Sequence, residues 1–82
     1  MRPRSDSDVP CDVSEIIDGV LSELIRAQND YPAFHSPHEG YAVLLEEVHE
    51  VWDAVRKDDV KHARREAVQV AAMAIRFIRD LG

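Results

Sequence analysis

Residues 67–75 (AVQVAAMAI) limit this chain to few folds, because a helix through them is apolar on nearly every side. Such a helix must be covered by neighbours all round, so it belongs in the middle of a bundle. Ala67, Ala71, Ala72 and Ala74 let those neighbours approach closely. The 82 residues hold one domain at most. A chain this short buries only roughly 60–65% of its unfolded surface, which makes a second copy the cheapest source of further cover. The expected fold is all-α. Three helices per chain are expected, the second and third pairing with those of a symmetry mate in a four-helix-bundle core.

Residues 1–10 (MRPRSDSDVP) are polar, carry two prolines and have no period, so they read as a flexible tail before a single domain over 11–82. Asp12 with Glu15 three positions on is a capping box. Val13, Ile16, Ile17, Val20, Leu21, Leu24 and Ile25 then recur at helical spacing to about residue 28. Residues 29–36 have loop chemistry. Ser36 as N-cap, Pro37 at N1 and Glu39 at N3 open a second helix. Its stripe of Tyr41, Leu44, Leu45, Val48, Val51, Trp52 and Val55 covers an arc of roughly 120°, with Trp52 expected in the core. After the polar break at Lys57, either Asp58 or Asp59 caps a third helix, which runs to about residue 81.

Composition removes several classes of function. Hydrophobic content of 45% and charged content of 32% describe a folded, helix-rich chain. No apolar run approaches the ~18–20 residues of a membrane span and no secretory segment opens the chain, so no membrane partner is expected. The single Cys11 fits a reducing cytoplasm. A net charge of −6 argues against a grip on polymeric nucleic acid. A nucleotide ligand stays compatible, because bound divalent cations invert the local field.

Two clusters carry the chemistry. Glu46, Glu47 and Glu50 crowd the second helix in LLEEVHEVW, and Glu66 and Gln69 follow on the third in RREAVQVAAM. With Val48 at the centre of the apolar arc, Glu47 falls at about −100° and Glu50 at about −160°, neighbours on one flank. Val43 and Ala54 share that flank. Glu66 shares its face with Val70, Met73 and Phe77, while Lys61, Arg65, Arg76 and Arg79 mark the solvated strip. An ionised carboxylate in an apolar stripe is costly unless paired or metal-bound. Antiparallel packing of the two helices would bring these acids together, a donor set suited to magnesium or manganese. The plain alternative is a solvated acidic face paired with Arg56 or Lys57.

Glu-Glu-x-x-Glu at residues 46–50, fifteen intervening residues, then Glu-x-x-Gln at 66–69 resembles the paired motif of the MazG-like all-α nucleoside triphosphate pyrophosphohydrolases. Dimeric dUTPases and phosphoribosyl-ATP pyrophosphatases are relatives in that superfamily. The resemblance covers residues 37–81. It implies Mg-dependent hydrolysis of a nucleoside triphosphate to the monophosphate and pyrophosphate, by a homodimer or dimer of dimers. Glu47, Glu50 and Glu66 would be magnesium ligands, and Glu46 a further ligand or the group orienting the attacking water. Gln69 stands where the family pattern has aspartate; its carbonyl can ligate magnesium but brings no charge and no base.

Lys57, Lys61, Arg64 and Arg65, with Arg76 and Arg79, are candidate phosphate partners or ordinary surface charge. The loop holding Tyr31, Phe34 and His38 either stacks a base or plugs the end of the bundle. Two other functions compete. Glu46 and His49 form a Glu-x-x-His pair like those of carboxylate di-iron bundles, although His49 points about 160° away from Glu47. A catalytically decayed nucleotide-binding or helical dimerisation module is the non-enzymatic alternative.

Overall fold

The computed structural model describes residues 9–82 as three α-helices, α1 (Val13–Asp30), α2 (Pro37–Arg56) and α3 (Val60–Asp80). Residues 1–8 of the expected tail lie outside the described range.

Each helix starts at a residue whose side chain satisfies a free backbone amide. Asp12 Oδ2 accepts from Glu15 N at 3.3 Å, Ser36 Oγ from Glu39 N at 3.1 Å, and Asp59 Oδ1 from His62 N at 3.1 Å. Each such cap contributes about 1 kcal/mol. The return half of the α2 box departs from the expected form. Glu39 Oε1 accepts from His35 N at 2.8 Å, one residue ahead of the cap, and so ties the loop to the helix.

At the other end of α2, Asp58 N bonds Val55 O at 3.0 Å and Asp59 N bonds Ala54 O at 2.9 Å. That pair is a Schellman closure. It puts Asp58 in the left-handed region at φ 59°, where a side chain is a penalty.

α3 packs on both α1 and α2, whereas the Cα traces of α1 and α2 never come within 8 Å of each other. α3 is thus the central helix, as residues 67–75 suggest, but the cover is not complete, since Ala67 and Ile75 of that run remain exposed. Val20, Leu24 and Ala27 of α1 pack with Phe34 of the loop and Ala72 and Met73 of α3. Close approach depends on small residues. Ala54 and Ala63 are buried near the hairpin turn, and a Cβ on Gly40 would sit 2.7 Å from Phe77 Cδ2.

Two sequence expectations are corrected. Arg76, assigned to the solvated strip, is only 5% exposed. Its guanidinium lies 4.2 Å from the centroid of the Phe34 ring, donates to the Pro32 carbonyl, and approaches Asp80 Oδ2 at 3.5 Å. Asp80 Oδ2 also accepts from Phe34 N at 3.2 Å, so the charge is paired rather than stranded.

The α2 stripe does not all turn inward either. Trp52, expected in the core, is 58% exposed, and Tyr41, Val48 and Val55 are exposed with it. The flank facing α3 is instead Gly40, Val43, Glu47 and Ala54, which are buried or half-buried. On α1, Val13, Ile17, Leu21 and Ile25 form a second exposed apolar row. Among the described residues no helix is long and apolar enough to cross a membrane.

Relieving the left-handed penalty at Asp58 gives a direct check on the hairpin closure. Asp58→Gly should stabilise the chain by about 0.5–1 kcal/mol. Thermal unfolding followed by circular dichroism should then show a midpoint about 2–8 °C higher.

Candidate metal centre

Because α1 and α2 both lie on α3 with their Cα traces more than 8 Å apart, a cleft runs between them and α3 forms its floor. Carboxylates occupy one end. Glu47 and Glu50 project from α2 and Glu66 from α3, and one carboxylate oxygen of each lies within 4.8 Å of the others. Among the described residues this is the one group of three His, Cys, Asp or Glu side chains so arranged. The Schellman closure sets the register that brings the two motifs together.

The three acids have unequal surroundings. Glu66, with a side chain 15% exposed, has Oε1 3.1 Å from His62 Nε2, and His62 Nδ1 lies 3.9 Å from Asp59 Oδ2. Glu47 Oε2 is buried without a hydrogen-bond partner. Burial pushes the Glu47 carboxyl up to about 7, helped by a hydrogen bond with Glu50 and by the charges of Glu50, Glu66 and Glu46. A carboxylate so placed relieves its position by keeping a proton or by facing a cation. The all-oxygen donor set and the orphaned Glu47 Oε2 fit a hard divalent ion.

The acids open on a cavity of about 660 Å³, whose walls also include Gln69 and Arg65 of α3 and Glu23 and Arg26 of α1. A second cavity of about 490 Å³ shares Arg26, Glu47 and Gln69 with it and continues to Tyr31, Phe34 and Arg76. The cleft therefore runs from an acidic end to an aromatic one.

No family model, curated protein or solved structure matches this chain.

The remaining candidate residues separate into those on the cleft and those off it. Gln69 lines both cavities and Arg65 the acidic one. Glu46 is exposed and lines the aromatic cavity, apart from the acid trio. Phe34 is buried with one ring face covered by Arg76, whereas Tyr31 stands 61% exposed on the same cavity. His38, Lys57 and Lys61 are exposed and outside the lining of both cavities. Arg64 Nη2 donates to Pro10 O at 2.8 Å and so ties α3 to the segment before α1. His49 is exposed and lies outside the acid trio.

Glu23 and Arg26 had not stood out from the sequence. Arg26 Nε donates to Glu23 Oε2 at 3.1 Å. Partial burial pushes the Glu23 carboxyl up, but hydrogen bonds from Gln69 and Arg26 outweigh it and leave the pKa below the usual carboxylate value. The signal was available. Glu23 falls between Val20 and Ala27 on the face α1 buries, the same acid-in-an-apolar-stripe pattern that singled out Glu66.

Glu47 makes the pH dependence of stability testable. Its pKa rises from 4.5 to about 7 on folding, so between those values the folded chain binds more protons than the unfolded one. Stability from this group therefore falls as pH rises across that window. Asp12 and Glu23 shift downward and act only below their ordinary values of 3.8 and 4.5. With a chelator present, Glu47→Gln should unfold at a higher temperature than the parent at pH 8, the difference shrinking toward pH 5.

Proposed function

We propose that this chain is a divalent-cation-dependent nucleoside triphosphate pyrophosphohydrolase of the MazG-like type, releasing the monophosphate and pyrophosphate. The observation that carries this reading is the convergence of Glu47, Glu50 and Glu66 at one end of a cleft whose other end holds Tyr31, Phe34 and Arg76. Glu47, Glu50 and Glu66 would hold magnesium or manganese, with the Gln69 carbonyl as a neutral fourth ligand. A cation there supplies positive charge against the phosphate oxygens and lowers the pKa of water.

The chain's own groups account for the rest. Arg26 and Arg65 line the acidic cavity and offer guanidinium donors to the triphosphate. Lys57 and Lys61 lie off the cleft and would reach phosphate only when presented by a second copy. Glu46, on the aromatic cavity, would orient a water whose oxygen attacks the α-phosphorus; the bond to the bridging oxygen breaks and pyrophosphate leaves. Tyr31 offers a ring for a base, while Phe34, backed by Arg76, forms a fixed wall.

Gln69 favours one competing reading, a nucleotide-binding or dimerisation module without turnover. Pyrophosphate release from a panel of nucleoside triphosphates decides between them. With magnesium or manganese the parent should release pyrophosphate, and Glu50→Gln and Glu66→Gln should each lower kcat/KM by more than about 100-fold. Nucleotide binding without release under either metal would favour the module.

The same reading includes a homodimer. Tyr41, Val48, Trp52 and Val55 make an apolar face on α2 that the chain's own helices leave exposed, and a symmetry mate would bury it in a four-helix core. The exposed row on α1 leaves scope for a dimer of dimers. Light scattering at micromolar concentration should give a dimer or larger, and Trp52→Glu should shift it toward monomer. A stable monomer of the parent chain would overturn this assembly.

A further inference from the structure

Of the three converging acids, Glu66 is held from outside the trio. It stands on the helix that carries the other two, with its side chain 15% exposed, and its Oε1 lies 3.1 Å from His62 Nε2. Residues four apart share one face of a helix, so the pair forms within α3 and does not depend on how α1 or α2 is seated. His62 is not among the groups that converge; it meets the trio at Glu66.

A carboxylate that binds a cation is ionised and only accepts, so Nε2 carries the proton and donates to Glu66 Oε1. Such a carboxylate has roughly four lone-pair sites, which leaves room for a cation beside that bond. The other ring nitrogen, Nδ1, is 3.9 Å from Asp59 Oδ2, too far for a hydrogen bond. Asp59 instead caps the His62 backbone amide through Oδ1 at 3.1 Å, a contact that survives removal of the ring. A glutamate side chain with no partner must be ordered at a cost in entropy before it can ligate. The bond from His62 orders Glu66 in advance.

We propose that His62 is a positioning residue of the acid site. It donates to Glu66 Oε1 and keeps that carboxylate where one of its oxygens lies within 4.8 Å of oxygens of Glu47 and Glu50. His62 acts through Glu66 and is not itself a ligand. The inference rests on the cation-dependent reading above and adds to it a residue that neither acidic motif contains. An ordinary helix-stabilising pair has the same spacing; the two roles differ in what loss of the ring does to cation binding.

Titration of the full chain with manganese alone, without nucleotide, tests this by calorimetry. His62→Ala should weaken manganese binding by about 10-fold or more, the usual effect of removing a group that orients a ligand. His62→Gln keeps an N–H donor four residues ahead of Glu66 and should stay within about 3-fold of the parent. Asp59→Ala removes the cap and loosens the start of α3 while leaving the donor to Glu66, and should also stay within about 3-fold. Circular dichroism at the titration temperature separates loss of fold from loss of binding.

Unchanged affinity in His62→Ala, with the parent binding manganese, would overturn the role of His62 and leave the cation-dependent reading intact. Equal losses in His62→Ala and His62→Gln would overturn the donated bond. A loss in Asp59→Ala as large as that in His62→Ala would overturn action through Glu66, since a loosened helix start would then suffice. A parent chain that binds no manganese would overturn both readings together.

Discussion

The structure depends on α3 being shared. Both other helices use it as their packing surface while their own Cα traces stay more than 8 Å apart, so one apolar, alanine-rich helix carries the core on two sides. Close approach on one side exploits Ala54 against α3 near the turn and Gly40 against Phe77 near the opposite end. On the other side Val20, Leu24 and Ala27 pack with Ala72 and Met73. What the two outer helices leave between them is the cleft. Its floor is the same helix that holds them, which is why a carboxylate on α3 can meet carboxylates from α2 and a polar pair from α1.

That arrangement also explains the uneven state of the acids. Glu66 has His62 one turn away on its own helix, while Glu47 sits on the α2 flank that faces α3 and has an orphaned oxygen. Burial and like charge act together on Glu47, and a proton satisfies it in the absence of a cation. Glu47 and Glu66, both glutamates beside an apolar stripe, thus sit in different surroundings.

Much of the local structure was legible in the sequence because its causes are local. Asp12, Ser36 and Asp59 cap helices through amides three residues on, and the apolar run at 67–75 requires a central helix. The acid trio was legible for a related reason, since helical spacing fixes which residues share a face. Misreadings arose where the partner lies far along the chain. Arg76 looked solvated beside Arg79, yet its partners Pro32 and Phe34 lie more than forty positions away. The α2 stripe has the period of a core face, but period does not say which neighbour covers it, and within this chain α3 takes the adjacent flank. Glu23 and Arg26 belong to neither acidic motif, and their place in the cleft follows from how α1 lies on α3.

The Arg76 anchorage has a mechanical corollary. The loop between α1 and α2 is joined covalently to both, but its Pro32 carbonyl, Phe34 amide and Phe34 ring are fastened to Arg76 and Asp80 in the last turns of α3. The aromatic wall is thus anchored to the α2–α3 hairpin, and Asp30 and Tyr31 stand where α1 departs from it. α1 packs against the same wall through Val20, Leu24 and Ala27 beside Phe34, so widening the cleft would have to break those contacts. Ahead of α1, Arg64 fastens the short segment at Pro10 and Cys11 to α3.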